Sequence, residues 1–288
     1  MPAAPRAAQT IEWEHLAAAD LPEHHVTIWL PPGYTASHRY PVLYMWDGQN
    51  LFDPAKTHYG KAWMVDRVLT DMVAKGAAEP HIVVGIWSPD GLDRYRLYLP
   101  QPAADAARGE VAADVARMAG GPVASERELA WVTDQLKPRV DRAFSTRRGP
   151  RDTTVIGSSM GGVMACYAAI ARPDVFGRAG CVSAHWPVAD PDLADRHRPE
   201  IMASWREWLA RDLGAPRGRR LWLDHGTAKL DAYYGPWQDA IAQDLSELGW
   251  REGRDFTART YPGAEHDEIY WNRRLPEMLA WLWRPDDR

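Results

Sequence analysis

Short apolar segments alternate with amphipathic segments along almost the whole chain, and this alternation limits the possible folds more than any other feature. The β-rich segments lie at residues 26–30, 41–46, 82–87, 153–158, 179–184, 220–225 and 256–261. Apolar residues recur at helical spacing in 62–75, 126–144, 160–171, 201–213, 237–248 and 268–283. Several β-rich segments are apolar on both faces, which is typical of a parallel sheet covered by helices. The pattern predicts an α/β fold with a mostly parallel central sheet and helices on both faces.

The domain organisation predicted from the sequence is simple. The 288 residues contain no repeat, low-complexity tract or linker, which favours a single domain over residues 1–288. Residues 101–125 contain several Ala, Gly and Pro residues and show no clear periodicity. We expect this segment to form an excursion beside the sheet, near the cleft in which a substrate would bind.

Charge and hydropathy exclude several classes of partner. The chain has 34 basic and 39 acidic residues, a net charge of −5, so we expect no nucleic-acid-binding face. No apolar run reaches the roughly 18 residues that a membrane span needs, and residues 1–10 lack the apolar core of a signal peptide. We therefore expect a cytoplasmic protein from the sequence as it stands, or a periplasmic or secreted one if a signal has been removed. The sequence leaves the oligomeric state open.

Motifs for metals and cofactors are not found in the sequence. Cys166 and Cys181 lie in apolar runs without the spacing of a metal site, so they predict two buried free thiols. There is no HExxH sequence, EF-hand loop, P-loop or GxGxxG sequence. We therefore predict neither a metal nor an organic cofactor.

A candidate nucleophile lies where a strand-like segment meets a helical one. The residues there form a G-x-S-x-G motif: Gly157-Ser158-Ser159-Met160-Gly161. A serine on a sharp strand-to-helix turn needs small residues two positions before and after it, because the chain folds back closely there. Such a turn would raise the Ser159 hydroxyl above the sheet and aim the first N–H groups of the helix at the same point. Ser158 is the alternative nucleophile, but it lacks the flanking glycine spacing.

His266 is the best candidate for the base that activates the serine. A serine hydroxyl needs a neutral imidazole to accept its proton at neutral pH. In folds with this motif, the acid and then the histidine follow the serine along the chain. His266 lies in a loop containing Pro and Gly, after the last strand-like segment and before the last helical one. Six histidines precede the serine and are disfavoured by chain order: His15, His24, His25, His38, His58 and His81.

Three further histidines follow the serine but suit the role of base less well. His197 lies in a charged segment that we expect to be exposed, and His225 lies at the end of a strand-like segment. His185 follows the strand after the nucleophile's helix, so it is a candidate for lining the cleft.

The acid is expected between the serine and the histidine, on the loop after the preceding strand. Asp224 is still within that strand, whereas Asp231 lies past a Gly-Thr turn. We prefer Asp231, with Asp224 as its alternative and Glu268 as a third candidate.

Tryptophan is unusually frequent, since the chain contains 15 Trp, 11 Tyr and only 4 Phe residues. The indole ring buries a large apolar surface, and its face can stack on a ligand. One group falls in or beside the loops expected around the serine and predicts pocket walls: Trp46, Trp63, Trp87, Trp186 and Trp271. A second group has helical spacing and predicts core packing: Trp131, Trp205, Trp208, Trp281 and Trp283.

Long segments of the chain resemble the esterase family of α/β-hydrolases, which includes feruloyl and acetyl-xylan esterases, enterochelin esterases, S-formylglutathione hydrolase and mycolyltransferases. The resemblance covers residues 20–283, and its most specific parts are GSSMGG at 157–162 and PGAEHDEIYW at 262–271. It implies an α/β-hydrolase fold with Ser159 as nucleophile and His266 as base. The family's acid follows a Gly-Thr pair by a few residues, and Asp231 matches that position.

The same resemblance implies two donors for an oxyanion hole. In the family, the residue after an Asp-Gly pair at the end of an early strand supplies one backbone N–H, and this position is Gln49. Met160, the residue after the serine, supplies the other. Trp46 stands where relatives often carry a histidine or an apolar residue, which would alter the pocket wall. The predicted substrate-binding residues are Trp46, Asp47, Trp63, His185, Trp186 and Trp271.

These residues predict a serine carboxylic-ester hydrolase that acts by two-step acyl transfer through an acyl-enzyme. Aromatic walls suit sugar rings or an aromatic acyl group, so carbohydrate-linked acetyl or feruloyl esters, or other small esters, are the leading substrates. A siderophore esterase of the enterochelin type and an S-formylglutathione-type thioesterase use the same machinery and are alternatives. A carbohydrate-binding protein without activity is the alternative from another class. The sequence leaves open whether water or another acceptor takes the acyl group.

Overall fold

The computed structural model describes residues 7–57, 59–89 and 91–285, so His58 and residues 1–6 lie outside the described part. Within the described residues, eight strands form one sheet in the order β1-β2-β4-β3-β5-β6-β7-β8. The strands are β1 (Gln9–Leu16), β2 (His24–Leu30), β3 (Val42–Trp46), β4 (Ile82–Ile86), β5 (Thr153–Ser158), β6 (Arg178–Val182), β7 (Arg220–Gly226) and β8 (Phe256–Tyr261). β2 pairs antiparallel with β1 and β4, and all other neighbours pair parallel. The predicted mostly parallel sheet is therefore confirmed.

Helices connect the strands and cover both faces of the sheet. They are α1 (Val65–Ala74), α2 (Leu92–Tyr98), α3 (Gln101–Ala106), α4 (Gly109–Ala119), α5 (Ser125–Trp131), α6 (Lys137–Ala143), α7 (Met160–Ala171), α8 (Pro191–Arg196), α9 (Arg198–Asp212), α10 (Asp231–Glu247) and α11 (Glu268–Trp283). A π-helical turn at Val132–Leu136 joins α5 to α6 in one continuous helix. The predicted helices at 160–171 and 268–283 have the bounds of α7 and α11.

The alternation of side chains along β3 shows how the sheet builds a core on each face. Val42, Tyr44 and Trp46 join a buried cluster with residues of α7, α9 and α10. Leu43 and Met45 join a second cluster with residues of α1 and α11. The loops after the carboxyl ends of β3, β5, β7 and β8 therefore meet at one edge of the sheet, between the two helical layers. Ligands of open α/β sheets bind at this edge.

Several segments differ from the prediction: α2 and α8 were not predicted, and α10 begins at Asp231, which was expected on a loop. Residues 101–125 are mostly helical, because Val111, Val115 and Ala119 recur every four residues and are buried on one face of α4. The small Ala side chains that surround them hid this periodicity. β1 was not predicted, because it is an edge strand whose side chains are mostly exposed and only weakly patterned.

The core contains the residues that helical spacing assigned to it. Trp131, Trp205 and Trp208 are buried, and Trp281 and Trp283 pack half-buried against the α1 and α11 side of the sheet. The two cysteines, Cys166 on α7 and Cys181 on β6, are buried free thiols, as predicted. In the described part of the chain, no helix is long and apolar enough to cross a membrane.

Candidate active site

Ser159 occupies a sharp turn between β5 and α7, in a backbone conformation that residues with side chains rarely adopt. Its φ and ψ angles are 58° and −124°. The turn is so tight that a Cβ atom at Gly157 would lie 2.2 Å from the carbonyl oxygen of Gly161. The G-x-S-x-G spacing is therefore a steric requirement of this turn. Backbone strain of this kind is found at functional sites, where the surrounding structure holds it in place.

The two adjacent serines differ in their surroundings. Ser158 is the last residue of β5 and is buried, with 5% of its surface exposed. Ser159 is half-buried and has the strained backbone of the turn, and both serines border the cavity at the carboxyl edge of the sheet. The geometry therefore favours Ser159 over Ser158 as the nucleophile.

The two predicted oxyanion donors lie on turns that border this cavity. Met160 is the first residue of α7, so its N–H group has no acceptor within the helix. Gln49 lies in a 3-10 turn, Gly48–Asn50, which follows β3. The Gln49 side chain is fixed to Ser88, because Nε2 donates to Oγ at 2.6 Å and Oε1 accepts from the backbone N–H at 3.1 Å. These two bonds hold the turn against the loop after β4.

Asp47 supports the same turn through a partly buried ion pair with Arg94 on α2. Arg94 Nε donates to Oδ1 and Nη2 donates to Oδ2, both at 2.7 Å. Burial alone would lower the pKa of Arg94, but the adjacent Asp47 carboxylate raises it above its ordinary value. Asp47 borders the cavity, and its carboxylate is bonded to Arg94.

His266, in the loop after β8, pairs with Asp231, which follows the neighbouring strand β7. His266 Nδ1 and Asp231 Oδ1 are 2.6 Å apart. Asp231 is the first residue of α10, and His266 lies between β8 and α11. A Cβ atom at Gly226, the last residue of β7, would lie 2.1 Å from the Ala264 carbonyl oxygen. The Gly-Thr pair therefore lets the acid and histidine loops approach each other closely.

The second oxygen of the Asp231 carboxylate is also fully bonded. Oδ2 accepts from the Gly226 N–H at 2.7 Å and from the Ser183 hydroxyl at 2.8 Å. Burial alone would raise the pKa of Asp231, but the bonds from His266, Ser183 and Gly226 hold it below its ordinary value. A carboxylate that stays ionised can orient the imidazole and stabilise its protonated form.

Asp224, the alternative acid, faces a different partner. Its Oδ1 lies 3.1 Å from Nη2 of Arg274, and its Oδ2 accepts from Nε1 of Trp222 at 2.7 Å. Burial raises the pKa of Asp224 above its ordinary value, although Arg274 opposes the shift. The structure thus brings His266 to Asp231 and directs Asp224 to Arg274. Glu268, the third candidate, lines the cavity without a hydrogen bond to the imidazole.

Ser183 and Arg274 connect these groups and were missed by the sequence reasoning. The Ser183 hydroxyl accepts from Arg274 Nη2 at 2.6 Å and from Trp271 Nε1 at 3.1 Å, while it donates to Asp231. Arg274 is 3% exposed and lies beside Leu275 on the buried face of α11. A charged residue at a core position of an amphipathic helix is the signal that could have identified it.

His185 and Tyr234 lie close to Ser159. The backbone N–H of His185 donates to the Ser159 carbonyl at 3.1 Å, and the ring Nδ1 of His185 lies 2.9 Å from the Tyr234 hydroxyl. Burial, followed by the charge of His266, lowers the pKa of His185 to about 4, so the ring is neutral at neutral pH. Burial raises the pKa of Tyr234, against a hydrogen bond with the Ser159 side chain that lowers it. Tyr234 therefore lies close to the candidate nucleophile, and no local sequence pattern could have identified it.

The cavity has a volume of about 660 Å³ and holds both Ser159 and His266 in its wall. Of the loop tryptophans, Trp271 contributes to the wall. His185 and residues 101–125 are not among its lining residues, so the expectation that they border the cleft is corrected. The segment 101–125 instead packs on other helices, α4 against α2 and α3 against α9.

Trp46, Trp63 and Trp186 are core residues, contrary to the expectation that they form pocket walls. Each is at most 2% exposed. Trp46 packs against Tyr98 with ring centroids 5.2 Å apart, and Trp186 packs edge-on against Trp205 at the same distance. Their positions in or beside loops expected around the serine do not decide where the rings point, since each ring packs into an apolar cluster.

Trp63 and Trp87 pack against neighbouring residues outside the cavity wall. Trp63 packs against Trp271, with ring centroids 5.5 Å apart. Trp87 stacks on His25 at 3.9 Å and donates to the Thr27 hydroxyl at 2.8 Å. Neither tryptophan lines the cavity.

The mouth of the cavity combines ion pairs with exposed apolar groups. Lys61 Nζ lies 2.8 Å from Asp267 Oδ2, and Lys229 Nζ lies 2.6 Å from Glu265 Oε2. Tyr59 is 79% exposed and Leu230 is 42% exposed, and both line the cavity. Exposed apolar side chains at a cavity mouth are candidates for ligand contact. Among the residues that the structure describes, no group of three or more His, Cys, Asp or Glu side chains is arranged to hold a metal ion.

Comparison with known proteins gives one family and several relatives. Residues 22–282 match the model of the family described as "Putative esterase". Uncharacterized protein YbbA of Bacillus subtilis (strain 168) is 24% identical over 260 residues, which are 89% of this chain and 91% of that protein. The endo-1,4-beta-xylanase/feruloyl esterase of Xylanibacter ruminicola is 27% identical over 161 residues, 54% of this chain and 19% of that protein. The iron(III) enterobactin esterase of Dickeya dadantii is 26% identical over 167 residues, 54% of this chain and 35% of that protein.

Solved structures share the fold. A ferulic acid esterase superposes with a TM-score of 0.68 at 17% identity, over 96% of this chain and 98% of that one. The enterobactin esterase FES from Shigella flexneri superposes with a TM-score of 0.69 at 19% identity, over 97% of this chain and 60% of that one. The mostly parallel sheet, its two helical layers and the serine turn after β5 define an α/β-hydrolase. The family match over residues 22–282 identifies the chain within that class: it belongs to this esterase family and is an esterase.

Proposed function

We propose that this esterase is a serine carboxylic-ester hydrolase that acts through Ser159, His266 and Asp231. One observation carries the proposal: the imidazole held by the buried Asp231 at 2.6 Å lines the same cavity as the strained Ser159. A base held in one tautomer by a carboxylate, beside a serine on a sharp turn, is the arrangement that acyl transfer requires.

The proposed reaction has two acyl-transfer steps. His266 accepts the proton of Ser159 as the hydroxyl oxygen attacks the ester carbonyl, and the C–O bond to the alcohol breaks after His266 returns the proton to that oxygen. Water then attacks the acyl-enzyme in the same way and releases the acid and Ser159. Asp231 stabilises the imidazolium in both steps. The N–H groups of Gln49 and Met160 would bind the oxyanion, and losing one such donor raises the barrier by about 3 kcal/mol.

A neutral ester is the substrate class that the cavity supports best. The described residues that line it include four carboxyl groups and three cationic groups, so their charges do not favour an anionic ligand. Carbohydrate-linked acetyl and feruloyl esters fit this description, and relatives named feruloyl esterase and ferulic acid esterase support them. The exposed Tyr59 and Leu230 at the mouth would contact the apolar face of a sugar or an aromatic ring.

A siderophore ester is the second candidate, because enterobactin esterases are among the relatives. An iron-loaded catecholate carries several negative charges, which the surplus carboxyl group of the cavity would repel. The iron-free ligand is therefore the more suitable form of such a substrate. A thioester is a third candidate substrate for the same catalytic residues. If no ester is hydrolysed, the remaining interpretation is a carbohydrate-binding protein without activity.

The direct test is hydrolysis of p-nitrophenyl acetate by the wild-type chain and two serine variants. Ser159→Ala is expected to reduce turnover to background, whereas Ser158→Ala keeps most of it, because Ser158 is a buried strand residue. Full activity in Ser159→Ala would overturn the assignment. A panel of methyl ferulate, acetylated xylan, S-formylglutathione and iron-free enterobactin then ranks the substrate classes by kcat/KM.

A further inference from the structure

Glu268 is a buried carboxyl group in the wall of the candidate active site. It is the first residue of α11 and follows His266 by two positions. Its residue is 5% exposed, and it lines the cavity together with Ser159, His266 and Trp271. The side chain is thus removed from bulk water but borders the space that a substrate would occupy.

Among the described residues, the other acidic side chains of the cavity wall form ion pairs, whereas Glu268 forms none. Asp47 is bonded to Arg94 at 2.7 Å, and Asp267 to Lys61 at 2.8 Å. Glu265 is 2.6 Å from Lys229. Within the described ranges, no hydrogen bond joins the Glu268 carboxyl to another residue.

The absence of a partner matters because buried polar groups are nearly always hydrogen-bonded. Leaving a buried carboxyl unpaired is unfavourable unless water or a ligand meets it. Burial raises the pKa of Glu268, and the charges of Asp267 and Asp47 add to this effect while Lys61 opposes it. A hydroxyl group matches such a carboxyl in either protonation state, since it can donate to a carboxylate or accept from a carboxylic acid.

A purely structural role explains Glu268 less well. An acidic residue in the first turn of a helix has a favourable interaction with the helix dipole. That end of α11 is already capped, because Asp267 Oδ1 accepts from the N–H groups of Ile269 at 2.9 Å and Tyr270 at 3.4 Å. Helix capping therefore does not explain why the Glu268 side chain lies in the cavity wall and not on the solvent-exposed side of α11.

We propose that Glu268 is a specificity-determining residue that hydrogen-bonds a hydroxyl group of the substrate while Ser159 attacks the ester bond. The proposal rests on the proposed esterase function and names the substrate class more closely, as hydroxylated neutral esters. An ester without the hydroxyl would cover Glu268 and leave it without a partner. Sites built to bind a hydroxyl discriminate strongly against analogues that lack it.

Two matched ester pairs test the proposal on each side of the ester bond. Methyl 4-hydroxycinnamate is compared with methyl cinnamate, and glycerol 1-monoacetate with propyl acetate. The ratio of kcat/KM within a pair is measured for the wild-type chain, Glu268→Gln and Glu268→Leu. Because both esters meet the same enzyme preparation, partial unfolding of a variant cancels in this ratio.

In at least one pair, the wild-type chain is expected to prefer the hydroxylated ester by about tenfold or more. Glu268→Gln keeps most of this preference, because its amide can still donate and accept, whereas Glu268→Leu loses it. An unchanged ratio in Glu268→Leu for both pairs would overturn the proposal, as would a wild-type chain with no preference in either pair. A Glu268-dependent preference for cationic 3-(dimethylamino)propyl acetate over both hydroxylated esters would also overturn it, in favour of a cation site.

The two levels of the account fail differently. If the wild-type chain hydrolyses all four esters without discrimination, the role of Glu268 is refuted while the esterase function stands. If it hydrolyses none of them, nor p-nitrophenyl acetate, the proposed function itself is refuted.

Discussion

Among the histidine–carboxylate pairs of the described residues, the two with the most deeply buried carboxylates are of similar length but lie in very different surroundings. His266 Nδ1 and Asp231 Oδ1 are 2.6 Å apart at the carboxyl edge of the sheet. His24 Nε2 and Glu128 Oε2 are 2.8 Å apart, and they join β2 to α5. Both carboxylate side chains are buried. Bond length and carboxylate burial therefore do not separate the proposed catalytic pair from the other pair.

The environment of each imidazole ring does separate them. The His24 ring is stacked face to face on Trp131 at 3.8 Å, and its Nδ1 is buried without a partner among the described residues. The His266 ring meets Trp271 and Tyr234 with their planes at steep angles, and it lines the cavity. A histidine held by a carboxylate can serve as a base only where its other nitrogen reaches a nucleophile and a substrate. The predictions that follow test this difference, in order of expected effect.

The largest effect is expected from removing the base. His266→Ala should lower kcat for p-nitrophenyl acetate by about 10⁶-fold, since loss of a triad histidine alone can remove nearly all triad catalysis. His24→Ala is the matched change in the other pair and should leave turnover per folded molecule nearly unchanged. Steady-state kinetics on both variants measures this contrast. Equal losses of kcat in the two folded variants would contradict it.

The acid should have the next largest effect. Asp231→Asn is expected to lower kcat by about 10⁴-fold, because an amide no longer stabilises the imidazolium and favours the wrong tautomer. Asp224→Asn is the control, since Asp224 is bonded to Arg274 and Trp222 and not to the imidazole. Its kcat should fall by less than about tenfold. If Asp224→Asn were the more damaging change, the acid would have been assigned to the wrong residue.

The structural pair should affect stability and not turnover. Glu128→Ala is expected to lower the free energy of unfolding by about 3 kcal/mol, because it leaves the buried His24 ring without its partner. Glu126→Ala, an exposed change on the same helix, should stay within about 0.5 kcal/mol of the wild-type chain. Urea unfolding measures both values. A Glu128→Ala protein that is as stable as the wild-type chain but inactive would show that this pair takes part in catalysis.

The smallest effect on kcat is expected from changing Ser183, which is hydrogen-bonded to Asp231. Ser183→Ala removes one of the bonds to Asp231 and the acceptor of Trp271 Nε1, while Arg274 Nη2 keeps Asp224 as a partner. We expect kcat to fall by about tenfold, corresponding to the loss of a buried hydrogen bond. Ser204→Ala on α9 is the control and should have no effect on kcat. Unchanged kcat in Ser183→Ala would mean that Gly226, His266 and the nearby Arg274 fix the carboxylate without Ser183.

The sequence could predict the elements of the sheet edge because each has a local signal. The G-x-S-x-G motif predicts the turn at Ser159, since steric crowding there leaves little choice of residue. Periodicity predicted α7 and α11 to the residue, because both follow immediately after a conspicuous turn. The parallel sheet was predictable from strands that are apolar on both faces.

The sequence could not predict the orientation of side chains on the loops around the cavity. Trp46 and Trp186 lie next to catalytic segments in the chain, yet their rings face the core. Ser183, Tyr234 and Glu268 acquire their roles only through contacts made by distant elements. Asp224 and Asp231 are seven positions apart on adjoining elements, and only tertiary packing decides which of them meets the histidine.

The most direct test of the central claim is labelling with a fluorophosphonate, followed by mass spectrometry of the intact chain and its peptides. Reaction requires a serine activated by a base, so it reports the assembled site without assuming any substrate. We predict one label per chain, on Ser159, with labelling abolished in Ser159→Ala and greatly slowed in His266→Ala but not in His24→Ala. A wild-type chain that stays unlabelled, or that carries the label on another residue, would contradict the account.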